Sequence, residues 1–166
     1  MRAYRWGIGG VLLVSLAAAC GGGRSTTAHT PVPLPAALVA RANAICTQGS
    51  PGAFPYPTFD PQHPDPSLLP KVGAFFAATQ AASDAVPGDL RRLSVPSNDK
   101  TAWNQLLSLA KQYRTVADNE IKAAQASDST GFVTAVNQTE PILEQIAPLA
   151  DQLGFDSASP CRQAAF

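Results

Sequence analysis

The sequence predicts an all-α fold, an up-down bundle of about four helices, on three observations. Alanine dominates the composition of the 166-residue chain and aromatic residues make up only 7% of it, which favours helices over sheets. Runs of valine, isoleucine, threonine and tyrosine long enough to form strands are missing. Apolar residues instead recur at steps of three and four along several segments, the spacing of a helix with one buried face.

Residues 1–19 are predicted to be an export signal. Two arginines come first, an apolar run follows and three alanines occupy positions 17–19, which is the order of charged, apolar and small residues in a secretory signal. Cys20 comes directly after the alanines. This order resembles the lipobox of bacterial lipoproteins, in which the signal is cut before the cysteine and the thiol is acylated. The resemblance implies a lipid anchor on Cys20 that holds the protein to the outer face of the cell membrane.

Two other interpretations of the N-terminal residues are a transmembrane helix and a signal for simple secretion. A transmembrane helix would need about 20 apolar residues, and residues 6–19 supply 14. Simple secretion is the alternative localisation, because the three alanines also fit an ordinary signal-peptidase site. Residues 20–35 begin with glycine, serine and threonine and end in alternating prolines, which predicts a lipidated flexible tether. Residues 36–166 form the predicted helical domain.

The cysteines that remain after lipidation predict a structural disulfide. Cys46 and Cys161 form one pair in an oxidising compartment, and a bridge between them would join the first helix to the C-terminal tail across more than 100 residues. The alternative is two buried free thiols. Without Arg2 and Arg5 the chain carries ten basic and twelve acidic residues, so no basic surface for nucleic acid is expected.

The four helices are predicted in order along the chain. The first has an apolar face about 12 residues long that includes Leu38, Val39, Ala42, Ile45 and Cys46, and it stops at Gly49 and Pro51. The second covers residues 67–85 and is broken by Pro87 and Gly88, with one more turn at residues 89–93. The third and clearest covers residues 99–126, and the fourth covers residues 129–153.

Proline shapes two of the segments around these helices. Pro141 and Pro148 lie inside the fourth helix, where each removes a backbone hydrogen bond and is expected to produce a kink. A segment between the first and second helices, residues 50–66, carries six prolines interleaved with three aromatic residues, Phe54, Tyr56 and Phe59. Such a loop is typical of functional sites. It predicts either a loop whose aromatic rings bind a partner or gate a ligand, or rings that cover the bundle core.

The two cysteine neighbourhoods resemble those of a family of small alanine-rich actinobacterial lipoproteins. The shared features are the export cysteine, the segment Ala42-Asn43-Ala44-Ile45-Cys46, and a last helix that ends in Leu153-Gly154-Phe155 with Cys161 close behind. The resemblance implies a helical bundle closed by a terminal disulfide and implies no particular activity. The segment between Pro51 and Pro66 departs from the family pattern.

The sequence offers no convincing catalytic or metal site. His63 lies between Asp60 and Asp65, but a proline-rich loop lacks the fixed geometry that zinc requires. Glu140 and Glu144 stand one helical turn apart, a spacing more often found on a solvated surface. No serine is accompanied by a glycine elbow or a suitable histidine. These observations predict a non-enzymatic protein without metal or cofactor.

Two functions follow as hypotheses. The first is a surface-anchored lipoprotein that binds another protein or a cell-envelope component through Phe54, Tyr56 and Phe59. The alternative is a carrier or sensor of a small apolar ligand held between the helices, in a gap opened by the kinks at Pro141 and Pro148, since helical bundles place ligands between facing helices.

Overall fold

The computed structural model describes residues 33–48 and 58–162. The predicted signal, Cys20, most of the tether, Phe54 and Tyr56 lie outside these ranges. The described residues form five helices and no strand, so the all-helical prediction is confirmed. The helices are α1 (Ala36–Gln48), α2 (Leu69–Ala82), α3 (Val86–Arg91), α4 (Lys100–Gln125) and α5 (Ser129–Gln152).

Helix α4 is the centre of the bundle. It packs against α5 along its length and against α2, while α3 lies against both α1 and α4. Its buried side chains, which include Trp103, Leu106, Ala110, Ile121 and Ala124, follow the spacing of three and four that the sequence shows. A helix with one such apolar stripe is stable only when neighbouring helices cover it.

A tight turn sends α5 back antiparallel to α4. Ser127 adopts a left-handed conformation with φ of 57°, and the N–H groups of Ser127 and Asp128 donate to the carbonyls of Ala124 and Ala123. This is the Schellman pattern that closes a helix C-terminus. Asp128 then caps α5, because its Oδ1 accepts a hydrogen bond of 2.9 Å from the N–H of Gly131.

Pro87 acts differently from the prediction, whereas Pro141 and Pro148 lie inside a helix as predicted. Pro87 does not end a helix but lies in the first turn of α3, which begins at Val86, because a proline near a helix N-terminus removes no needed N–H. Helix α5 continues through Pro141 and Pro148 to Gln152. Both prolines are exposed, so water can reach the carbonyls that they leave without a helical partner.

Most of the buried apolar side chains belong to one cluster, here called the disulfide-end core. It joins α1, α3, the first half of α4, the last turns of α5 and the C-terminal segment. Its buried members are Leu34, Ala42, Cys46, Val86, Leu90, Val95, Ala102, Trp103, Leu106, Leu107, Leu109, Ala110, Ile146, Ala150, Leu153, Phe155 and Cys161.

The predicted disulfide is present in this core. Cys46 and Cys161 are bonded, with Cα atoms 5.4 Å apart and a sequence separation of 115. Arg162 next to it pairs with Asp151 of α5 at 2.6 Å. The N–H of Leu34 donates to the carbonyl of Leu153 at 3.2 Å, so the predicted tether joins the folded domain at buried Leu34.

A second, smaller cluster lies at the other end of α4 and is here called the cleft-end core. Its buried members are Leu69, Val72, Ala124 and Phe132, and Phe59, Phe76, Ala123 and Val136 pack against them in part. Helices α2 and α4 approach closely here, since a Cβ on Gly73 would lie 3.1 Å from Cβ of Ala124. Among the helices of the described ranges, none has the length and apolar character needed to cross a membrane.

Candidate functional site

Two adjoining cavities open where α2, α4 and α5 meet, beside the cleft-end core. The first has a volume of about 360 Å³ and lies between α2 and α4. Its apolar walls are Phe75, Phe76, Tyr113, Ala117 and Ile121. The second has a volume of about 300 Å³ and lies between α4, α5 and the segment before α2. Phe76 and Glu120 line both cavities, so these two residues form the boundary between them.

The second cavity is also mainly apolar. Phe59, Phe132, Val136 and Leu143 form most of its wall. Leu143 is 36% exposed and stands out among the large apolar side chains of the described residues, which places an uncovered apolar group at the rim. Such concave apolar sites with few polar groups are typical of small-molecule binding.

Glu120 is the polar group at the boundary between the cavities. Its side chain is half-buried and its Oε1 accepts a hydrogen bond of 2.7 Å from the hydroxyl of Thr139 on α5. Burial raises the pKa of the Glu120 carboxyl, and the hydrogen bond from Thr139 opposes that rise. Within the described residues no lysine, arginine or histidine forms an ion pair with it.

The opposite end of the first cavity carries a cation that is already paired. Arg114 of α4 donates to the carbonyl of Ser83 at 3.3 Å and forms an ion pair with Asp84, at the corner between α2 and α3. Nearby, the amide of Gln80 donates to Asp118 at 2.7 Å. These polar contacts hold the end of α2 to α4 without filling the space between them.

Of the three aromatic residues in the proline-rich segment, Phe59 is among the described residues. The ring of Phe59 lies on the bundle, with ring centroids 5.9 Å from Phe132 and 6.4 Å from Phe76 in edge-on arrangements. These are the contacts expected of a ring that covers the core, and they make Phe59 part of a cavity wall. Phe54 and Tyr56 lie outside the described residues, so their role stays a prediction.

The acidic and histidine side chains weighed from the sequence do not converge. Glu140 borders the second cavity, whereas Glu144 is exposed and lines neither of the two cavities. His63 contacts Asp60 at 3.2 Å on an exposed loop. Across residues 33–48 and 58–162, no three metal-binding side chains come together.

Glu120 and Thr139 were missed by the sequence reasoning, although a signal for Glu120 existed. Glu120 follows Ala117 by three residues and precedes Ala124 by four, so it stands within the apolar stripe of α4 rather than on the polar face. A carboxylate in such a position has to be buried, at least in part, when the helix packs. On α5, Thr139 likewise follows the apolar residue Val136 by three residues and precedes Leu143 by four.

Comparison of the chain with models of protein families, with curated proteins and with solved structures gave no match.

Proposed function

We propose that this protein is a non-enzymatic, membrane-anchored lipoprotein that holds a small apolar molecule in the cleft between α2, α4 and α5. The observation that carries the proposal is the pair of adjoining cavities that share Phe76 and Glu120. Each is within the range of about 300 to 1,000 Å³ that small-ligand sites occupy. This is the carrier or sensor hypothesis, with a site that extends from the space between α2 and α4 to the part of α5 around Glu140 and Leu143.

The arrangement of contacts around the cleft supports binding without chemistry. The walls are aromatic and aliphatic, and the charged groups present are one paired arginine, Arg114, and two carboxylates, Glu120 and Glu140. No histidine, lysine or cysteine is among the residues that line the two cavities, and the hydroxyl of Thr139 is held by its hydrogen bond to the Glu120 carboxylate. A cleft of this kind removes apolar surface of a ligand from water, which is the main source of its affinity.

Binding of a protein or cell-envelope component through the proline-rich loop has less support. One of its three proposed contact residues, Phe59, has its ring packed against Phe76 and Phe132. Lipidation of Cys20 and membership of the actinobacterial lipoprotein family stay predictions. With the anchor, the cleft would work at the membrane surface, where apolar molecules are concentrated.

The cleft is tested with N-phenyl-1-naphthylamine, a neutral apolar dye that fluoresces when it leaves water. The protein is the exported Cys20→Ala chain, which needs no detergent. We expect saturable binding, and we expect Ala117→Phe to weaken it at least about tenfold because the new ring occupies the first cavity. Ala78→Phe is the matched control, since Ala78 is exposed on α2 and lines neither of the two cavities.

Two results would contradict the proposal. One is the absence of saturable dye binding by a chain that is folded by circular dichroism. The other is equal affinity of the parent chain and a folded Ala117→Phe variant, which would mean that the dye binds elsewhere.

The anchor is tested separately in cells. We expect Cys20→Ala to move the protein from the membrane fraction to the soluble exported fraction, because the acylated thiol is the predicted attachment. Fractionation with immunodetection measures this. Unchanged membrane association of the variant would show that Cys20 does not anchor the chain.

A further inference from the structure

Glu120 has a half-buried carboxylate that no opposite charge of the described residues compensates. Its Oε1 accepts a hydrogen bond from the neutral hydroxyl of Thr139, and among the described residues no cationic side chain pairs with it. Partial burial of a carboxylate is unfavourable unless hydrogen bonds or an opposite charge offset the lost hydration. A single hydroxyl offsets only part of that penalty, so the carboxylate retains capacity for a further donor.

The charges around the carboxylate make its surroundings negative. On α4, Arg114 lies at the other end of the first cavity and is engaged by Asp84. On α5, Glu140 lines the second cavity and is exposed. The lining residues from α2 and from the segment before it are uncharged. A ligand that reaches the boundary between the cavities therefore meets two carboxylates and no free cation among the lining residues.

The aromatic side chain at the boundary suits the same kind of ligand. Phe76 lines both cavities together with Glu120. The face of an aromatic ring attracts a cation, and the attraction is strongest where water is partly excluded. Carboxylate, aromatic ring and hydroxyl together are a suitable environment for an ammonium group, with apolar walls on both sides for the remainder of the molecule.

We propose that the ligand of this cleft is a cationic amphiphile, an apolar molecule with a protonated amine that binds between the carboxylate of Glu120 and the ring of Phe76. The apolar part of the ligand lies against the walls of the cavities. This inference rests on the proposed function, because it names the class of molecule that the cleft holds.

Three probes with the same chain length separate charge from apolar contact. Dodecylammonium, dodecanol and dodecanoate, each below its critical micelle concentration, displace N-phenyl-1-naphthylamine from the exported Cys20→Ala chain. We expect dodecylammonium to bind about ten to a hundred times more tightly than dodecanol, the range for a hydrogen bond to a charged group. Dodecanoate is expected to be the weakest, because its carboxylate meets Glu120 and Glu140.

A matched pair of variants assigns the preference to one residue. In Glu120→Gln the ratio of the affinities for dodecylammonium and dodecanol, both measured in the same folded variant, is expected to fall to about one. Glu144→Gln removes an exposed carboxylate of α5 that lines neither of the two cavities, and it should keep the full preference. The preference should also fall as the pH decreases through the pKa of Glu120, because the protonated carboxyl no longer carries the charge that attracts the ammonium group. Dodecylammonium itself stays protonated over this range, so its own charge does not change.

Each outcome separates the two proposals. Equal affinity for the three probes, or a preference that survives in a folded Glu120→Gln variant, overturns the cationic ligand and leaves the apolar cleft standing. Failure of every probe and of the dye to bind the folded parent chain overturns both.

Discussion

The two ends of the bundle are built in opposite ways. The disulfide-end core contains 17 buried apolar residues, including the bonded pair Cys46 and Cys161, and the ring of Trp103 stacks on Phe155 with centroids 6.4 Å apart. The cleft-end core has four fully buried residues and two cavities beside it. The cavity that borders the disulfide end, of about 360 Å³, is lined by polar side chains such as Arg91, Lys100 and Asn104. The two cavities at the cleft end are mainly apolar, and the described residues leave this apolar space unfilled.

If the proposed function holds, the difference separates the part of the fold that supplies stability from the part that binds. Close packing and a covalent link fix the disulfide end, where most of the buried apolar area contributes to folding. At the cleft end, α2 is held to α4 partly by polar contacts such as Gln80 with Asp118. A cavity there sacrifices contacts that a filled core would make, and we interpret the lost stability as the consequence of keeping a binding site open.

The largest expected effect on stability comes from removing the disulfide between Cys46 and Cys161. The double variant Cys46→Ser and Cys161→Ser should lower the free energy of unfolding by about 4 kcal/mol, because the closed loop of 115 residues restricts the unfolded chain. Urea denaturation of the exported chain measures it. A loss of less than about 1 kcal/mol would contradict the conclusion that the disulfide end supplies most of the stability of the fold.

The glycine that ends α5 gives a smaller effect at the same end. Gly154 has φ of 88°, and the N–H groups of Gly154 and Phe155 close a Schellman motif on Asp151 and Ala150. A Cβ there would also lie 3.0 Å from Cβ of Pro33. We expect Gly154→Ala to destabilise the protein by about 1 to 2 kcal/mol, measured by urea denaturation, and a neutral result would contradict the left-handed conformation.

At the turn between α4 and α5, a substitution to glycine is expected to stabilise the protein. Ser127 holds the equivalent position after α4 with φ of 57°, a conformation that glycine adopts without steric penalty. Ser127→Gly should therefore stabilise the protein by about 0.5 to 1 kcal/mol. Thermal unfolding under matched conditions tests this, with Ser108→Gly, an exposed position inside α4, as a control that should destabilise. A loss of stability in Ser127→Gly would refute the geometry of this turn.

The smallest effect concerns the carboxylate in the cleft. Since the pKa of Glu120 is raised by burial, the folded protein binds the proton more strongly than the unfolded chain, and ionisation destabilises the fold above that pKa. Glu120→Gln should stabilise the protein by about a few tenths of a kcal/mol at neutral pH, because the group is still partly solvated.

The pH dependence provides the control for that prediction. Below about pH 4 the carboxyl is protonated in both states, so the stabilisation by Glu120→Gln should disappear. Urea denaturation at neutral and acidic pH measures the difference. A variant that is less stable than the parent at neutral pH would mean that the carboxylate supports the fold rather than the site.

The sequence specified most of the architecture because apolar periodicity and cysteine spacing report on packing directly. The long stripes of α4 and α5 and the pair Cys46 and Cys161 were read correctly from it. Pro87 was misjudged, because a proline that breaks a helix interior is equally suited to a helix start, and only the fold decides between them. The gap in the bundle was expected near Pro141 and Pro148. The second cavity is lined by Glu140 and Leu143, close to Pro141, and the first lies between α2 and α4.

The site itself was harder to predict than the fold. Its boundary residues, Phe76 and Glu120, lie 44 positions apart on different helices, and their proximity depends on how α2 packs on α4. Glu120 was visible as a charge inside an apolar stripe, whereas the second cavity depends on Phe59 reaching Phe132 from the proline-rich segment. No periodicity encodes a contact of that kind.

Hydrogen–deuterium exchange with and without saturating N-phenyl-1-naphthylamine tests the division between the two ends most directly. The dye should slow exchange in α2 and in residues 113–121 of α4, which line the first cavity, and leave residues 100–110 and 146–153 unchanged. Protection confined to the disulfide end, or spread evenly over the five helices, would contradict the assignment of the cleft as the binding site.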